Sequence, residues 1–293
     1  MSHLHITTLI FLAMLWGGSF LFMRIAAPAL GAIWLIEFRV LIAGLVLLPV
    51  IIYRGQIGEM LKNHRKLFIA GGLNAALPFS LLAYAAIELS AGLTSILNAT
   101  VPIFSALFAY LVIKEQLSWG RILGIVLGFF GVIVLMAWRQ QGDLPAASLL
   151  SVGAGLLAAI SYVLAANYTK QRLTEVSPLV FVTGSQLSAA ILLLPLLPFF
   201  VPEQRPEMNV VLSVIALAVF STSLAFALYF SLIKQIGPTQ TLTVTYLIPV
   251  FAILWGSWFL DEKITFTMLT GCTMIIIGTA LANGFSLKKL WVK

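Results

Sequence analysis

Apolar residues come in runs of about twenty along the whole 293-residue chain, separated by short polar linkers. Ten runs stand out, over 6–26, 32–53, 67–87, 91–113, 118–138, 147–168, 178–200, 210–233, 239–260 and 265–285. A hydrocarbon core about 30 Å thick needs roughly 20 apolar helical residues, so each run is predicted to cross a membrane once. The most polar linkers are 54–66 and the proline-rich 202–209, and neither is long enough for a separate soluble domain. The first run has no Lys or Arg ahead of it and is long enough to span, so it reads as a retained helix rather than a cleaved signal.

Composition agrees with this pattern. Charged residues make up 9% of the chain and apolar residues 61%, against about 25% charged in a soluble domain. So few charges cannot cover the surface of a soluble fold, which excludes a soluble enzyme, a nucleic-acid binder and a disordered chain. The net charge of +7 would suggest nucleic acid in a soluble domain. Here the basic residues sit in linkers, where they report topology instead. Even-numbered linkers and termini hold 12 Lys and Arg, and odd-numbered linkers hold 4. The positive-inside rule therefore predicts both termini in the cytoplasm and a bacterial inner-membrane type of topology. Cys272 is the single cysteine, so neither a disulfide nor a multi-cysteine metal site forms within one chain.

A shift of 147 residues brings landmarks into coincidence. Pro102 meets Pro249, Glu115 meets Glu262, Leu117 meets Ile264, Ser118 meets Thr265, Gly124 meets Gly271 and Gly131 meets Gly278. Two five-span halves are thus expected, over 1–142 and 143–293. Because five is odd, the second half must enter the membrane in the opposite sense. An all-α polytopic protein of ten transmembrane helices in two inverted five-helix repeats follows, an architecture used by many secondary transporters. Duplication retained only for stability is the competing explanation.

Several segments resemble the EamA family of the drug/metabolite transporter superfamily. They are L-W-G-G-S-F at 15–20, F-R-V-L-I-A-G at 38–44 and Y-A-A-I-E-L-S-A-G-L-T-S-I-L-N-A-T-V-P-I-F-S-A-L at 84–107. K-E-Q-L-S-W-G-R-I-L-G at 114–124 has a second copy, D-E-K-I-T-F-T-M-L-T-G, at 261–271. The resemblance covers essentially the whole chain. It implies ten helices, two inverted repeats and export of small metabolites or drugs, amino acids among them. Glu37, two residues before the motif arginine, departs from the pattern.

Glu37 and Arg39 are the charges that fall clearly within a span, where a charge is costly and usually functional or paired. Two apart on a helix, they point to different sides. Arg39 lies about 10 Å from the end of its span and is expected to snorkel outward or to bond a helix-end carbonyl. Glu37 is expected either to couple protons or bind a substrate amine, or to pair with Arg24 or Arg39. Pro102 and Pro249 are expected to kink the fourth and ninth spans and free backbone carbonyls. With Asn98 and Thr245, each one turn earlier, they are expected to line a central cavity. A kink that serves packing alone is the alternative.

Trp16, Ser19, Asn74, Tyr84, Tyr162, Asn167, Gln186, Tyr229 and Tyr246 are further cavity candidates, because buried polar groups need partners that a wet path or a neighbouring helix supplies. Glu115 and Glu262, followed by Ser118 and Thr265, read as tight helix–helix turns with an N-cap. Gly120, Gly124 and Gly128 form a small-residue stripe for close helix packing, with dimerisation as the lesser option. Trp34, Trp119, Trp138 and Trp291 fall near span ends, as interface residues do.

The sequence has no zincin motif and no P-loop, so no enzyme activity, metal or cofactor is expected. The expected partners are a small-molecule solute, the lipid bilayer and, as coupling ion, protons; nucleic acid is not expected, and the chain is expected to be a monomer or weak homodimer. A membrane channel or scaffold without alternating access is the competing function.

Overall fold

The computed structural model describes residues 2–137, 146–203 and 205–283. Ten apolar helices, and no strand, run through these residues. They are α1 (3–30), α2 (32–53), α3 (His64–Glu88), α4 (Ala91–Leu111), α5 (Trp119–Ala137), α6 (Ala146–Arg172), α7 (Pro178–Phe199), α8 (Met208–Ile236), α9 (Val244–Leu260) and α10 (Phe266–Ala282). Each answers to one predicted span. Helices satisfy every backbone group internally, which is what a bilayer demands of an open chain. α1 and α2 follow each other without a loop. Only Gly31 leaves helical geometry, at φ 70° and ψ 162°, a conformation that glycine adopts without a Cβ clash.

Ten helix ends, those at His3 and Ala282 among them, lie at one face, called here the near end. The turn 261–265 and the α3–α4 junction lie at the far end. The main core gathers residues from both halves, including Met23, Ile36, Val40, Phe79, Ala158, Ala189, Leu217 and Ala252.

The inversion of the halves is visible in the glycines. α5 and α10 cross so closely that a Cβ on Gly124 would lie 2.6 Å from the Gly278 carbonyl oxygen, and one on Gly131 would lie 3.0 Å from that of Gly271. An early residue of one helix meets a late residue of the other, so the two run antiparallel. Shifting by 147 turns the Gly124–Gly278 contact into Gly271–Gly131, which makes the crossing its own two-fold image. The same exchange relates other pairs. Gly17 of α1 packs on Phe251 and Ala252 of α9, and Gly155 of α6 packs on Leu97 of α4. Gly71 of α3 packs on Ser185 and Ser188 of α7, and Ser223 of α8 donates to the Ala43 carbonyl of α2 at 3.3 Å.

Backbone irregularities repeat too. α3 and α8 each contain a π-helical turn, over Gly72–Ala76 and Val219–Leu224, whose first residues are 147 apart. Lys114 and Asp261, also 147 apart, are the two non-glycine residues with left-handed φ among the described residues, at 62° and 52°. Each ends a helix, and the N–H of the next glutamate reaches back to the carbonyl of Ala109 (3.0 Å) or Gly256 (3.2 Å).

Three expectations are corrected. The proline kinks differ between halves: α4 breaks at 99–100, and Pro102 then sits in the first turn of Val101–Leu111, where no hydrogen bond is lost. Pro249 lies inside continuous α9, and the break there falls earlier, at 242–243, after the single turn Pro238–Thr241. Gly120 is exposed with nothing near its Cβ position, so the packing stripe runs through Gly124, Gly128 and Gly131 instead. Trp34 is partly buried and donates to the Leu197 carbonyl at 3.2 Å, tying α2 to α7, whereas Trp119 is 85% exposed as an interface residue would be. Trp138, Trp291 and the expected boundary at 142/143 lie outside the described residues.

Candidate functional site

Arg39 points inward. It is buried and neither snorkels nor bonds a helix-end carbonyl, contrary to the expectation from its depth. α2 carries it past α1 and places it among three helices. Its Nε donates to Thr222 Oγ1 of α8 at 3.1 Å, Nη1 approaches Met23 Sδ of α1 at 3.8 Å, and Cζ lies 3.7 Å from the centre of the Phe79 ring of α3. A guanidinium over an aromatic face is stabilised by the ring quadrupole. Tyr162 of α6 packs edge-on against Phe79, with centroids 6.4 Å apart.

The π turn Val219–Leu224 places Thr222 against the guanidinium. A π turn leaves backbone carbonyls without their usual donors, and hydroxyls fill the gaps. Thr222 donates to the Leu217 carbonyl (2.9 Å), Ser223 to that of Ala218 (3.0 Å) and Ser161 of α6 to that of Leu73 (2.8 Å). Thr222 therefore donates to its own helix and accepts from Arg39. The S-T-S run at 221–223 was the available sequence signal for this seat. Nothing in the sequence marked Met23 or Phe79 as partners of Arg39.

Glu37 does not pair with Arg24 or Arg39. Arg24 lies instead against Glu262, at 3.9 Å. Glu37 is buried, and its Oε2 has no hydrogen-bond partner. Gln186 of α7 is fully buried with neither amide atom bonded. Asn98 Oδ1 and the hydroxyls of Ser80, Ser151, Thr183 and Ser221 are likewise buried without partners. Such groups are costly in a dry interior.

The other predicted residues divide into two groups. Trp16 stacks at a tilt on Tyr229 (5.2 Å) and edge-on to Phe226 (6.1 Å), so it joins α1 to α8 beside the core. Ser19 is buried on the same helix, and Asn74 sits within the α3 π turn. Asn167 and Thr245 bond locally, to the carbonyls of Val163 (2.9 Å) and Leu242 (2.8 Å). Tyr246 takes a bond from Asn283 (2.9 Å) at the near end, and Tyr84 is 40% exposed. Pro102 and Pro249 occupy α4 and α9 as described above.

The repeated glutamates end up in different places. At the far end both Glu262 oxygens accept from the Ala91 N–H, at 3.0 and 3.1 Å, so the second half caps the first turn of α4. Arg24 lies 3.9 Å from the same carboxylate and donates to the carbonyls of Ala86 (3.0 Å) and Ile87. A Cβ on Gly256 would lie 2.2 Å from Glu262 Oε2, so this glycine makes the room the carboxylate occupies. At the near end Glu115 pairs with Arg121 of its own half, at 2.6 Å and half-exposed. The counterparts of Gly256 and Ala91 are Ala109 and Pro238, the first with a Cβ and the second without an N–H to cap. The near end also carries a cavity of about 650 Å³ lined by Glu59, Lys62, Lys66, Arg172 and Glu175. Beside it Glu59 caps Ser177, accepting from its N–H at 2.6 Å and its hydroxyl at 2.9 Å.

Ten helices in two opposed halves, around a buried cation and joined unequally at their ends, define a multi-pass membrane transporter. The chain belongs to the EamA-like transporter family, which matches it twice, over residues 4–137 and 149–284. An uncharacterized transporter of Archaeoglobus fulgidus is 20% identical over 90% of this chain and 92% of its own. The uncharacterized transporter YvbV of Bacillus subtilis is 26% identical over 94% and 90%, and the uncharacterized inner membrane transporter YedA of Escherichia coli is 26% identical over 84% and 79%. A crystal structure shares the fold, with a TM-score of 0.65 at 20% identity over 97% of this chain and 98% of that one.

Proposed function

We propose that the protein is a secondary transporter that moves small organic solutes, such as amino acids, related metabolites or amphipathic drugs, across the cytoplasmic membrane by alternating access, with export as the working direction. Residues 1–142 and 143–293 are the two moving units. Both termini are cytoplasmic, as the bias of Lys and Arg indicates, so the far end faces outside. The observation that carries this reading is the unequal closure of two ends built from one repeated motif. Glu262 joins the halves outside, while Glu115 stays within its own half inside. Opposed halves that exchange these arrangements expose a central site to each side in turn.

A channel would keep a continuous path, which the external junction does not favour. The test is counterflow of labelled amino acids and amphipathic drugs in proteoliposomes. Saturable flux without single-channel current is expected. Absence of saturable flux across the panel, or ohmic currents, contradicts the reading. Glu37, buried with a free oxygen, is the proposed proton-coupling group. Glu37→Gln is expected to abolish the dependence of flux on a pH gradient while exchange continues. Retained dependence would place coupling elsewhere.

A further inference from the structure

The Arg39 guanidinium is buried inside the bundle, and among the described residues no carboxylate forms an ion pair with it. Its partners are a neutral hydroxyl, a thioether and an aromatic face. The ion pairs Arg24–Glu262 and Arg121–Glu115 lie at the ends of the bundle. An unpaired charge at this depth is costly, and such residues mark substrate or ion pathways. A structural arginine in a membrane core ordinarily has an acid or several carbonyls to offset that cost. Here Nε and Nη1 are the only nitrogens with contacts among the described residues, so the guanidinium keeps unused donors. The second observation is that Ser221, adjacent to Thr222 in the same π turn, has a buried hydroxyl with no bond.

We propose that Arg39 is the anion-binding residue of the transport path and that the solute is a small organic monocarboxylate with an apolar or aromatic body. The class follows from the chemistry. A guanidinium fork matches the two oxygens of a carboxylate. One cation neutralises one negative charge, so a monoanion balances the guanidinium where a phosphate dianion does not. Met23, Phe79, Tyr162 and Trp16 supply apolar and aromatic surface around the site for the rest of the solute.

This inference rests on the transporter reading above, and the test separates the two. Proteoliposome flux is measured for matched pairs that differ at one group: 3-phenylpropionate against 3-phenylpropionamide, and 4-phenylbutyrate against 4-phenylbutyramide. Binding of the same compounds is followed by the shift in melting temperature of the detergent-purified protein. The acid of each pair is expected to flow and to stabilise, and its amide to do neither. Arg39→Gln is expected to lower acid flux about ten- to hundredfold, the usual range for a lost charged hydrogen bond, and Arg39→Lys to lower it less. If Arg39→Gln does not fold, the acid–amide contrast in the wild-type protein still decides. Amides flowing as well as acids, or acid flux indifferent to Arg39→Gln, overturns the anion site and leaves transport standing. Acids that stabilise through Arg39 without any flux support the site and overturn transport. Neither binding nor flux overturns both.

Discussion

The turns 114–118 and 261–265 have the same backbone and different connections. Both place a residue at left-handed φ, return the next N–H to the preceding helix and start a new helix at a hydroxyl: Ser118 accepts from Arg121 N–H at 3.4 Å, and Thr265 from Met268 N–H at 3.1 Å. Only the second sends its glutamate across to the other half. The difference traces to two positions, Gly256 against Ala109 and Ala91 against Pro238. Two halves that are alike in fold thus hold the ends of the molecule in different states. The bias needs no large change, because one missing Cβ and one backbone N–H suffice to seat a carboxylate.

The comparison can be broken most severely at the α5–α10 crossing, which starts from both turns and keeps them two-fold related. Gly278→Val drives side-chain atoms into the Gly124 carbonyl and Gly128 backbone, already 2.7 Å from a Cβ at that position. Backbone cannot yield as a flexible side chain can. A loss of about 3 kcal/mol is expected, read as a fall of about 10 °C in melting temperature in detergent. An unchanged value would show that the helices are not in backbone contact.

The far-end turn can be altered alone in two ways. Gly256→Ala removes the space for Glu262, and Glu262→Gln removes its charge from Arg24 and the α4 N-terminus. Both are expected to raise maleimide labelling of a cysteine at Leu93 about tenfold in a Cys272→Ser background, as the loss of a charged hydrogen bond implies. Different responses to the two substitutions would separate Gly256 from the seating of Glu262. Smallest of all, Glu115→Gln breaks a half-exposed ion pair worth about 0–1 kcal/mol. It is expected to leave melting temperature, labelling and flux within error, and a clear effect on labelling would mean that the near-end glutamate also bridges the halves.

Much of this was legible beforehand. The ten helices followed from apolar runs matched to membrane thickness, and the glycines of the crossing from one constant offset. Trp16, Tyr229 and Tyr162 stand out in the sequence as polar or aromatic groups within spans, and each meets a neighbouring helix near the core. The direction of Arg39 is not legible, because helical periodicity gives the face of a residue but not the helix opposite. The π turns leave no mark in the sequence, because they depend on hydroxyls bonding carbonyls after the chain has packed. The break in α9 lies two turns before Pro249, where a Gly-Pro start and a separate turn set it instead of the proline. Glu262 looked like its repeat partner, since the space it fills is the absence of a side chain on another residue.

The central claim is reciprocity: closing one end belongs with opening the other. Spin-label pairs at Tyr84–Phe266 for the far end and Val112–Lys234 for the near end measure it by electron–electron distance distributions, with and without Glu262→Gln. The far-end distance is expected to lengthen and the near-end distance to shorten together in the variant. Distances that change in the same direction, or a far end that opens while the near end stays as it was, would contradict alternating access in this protein.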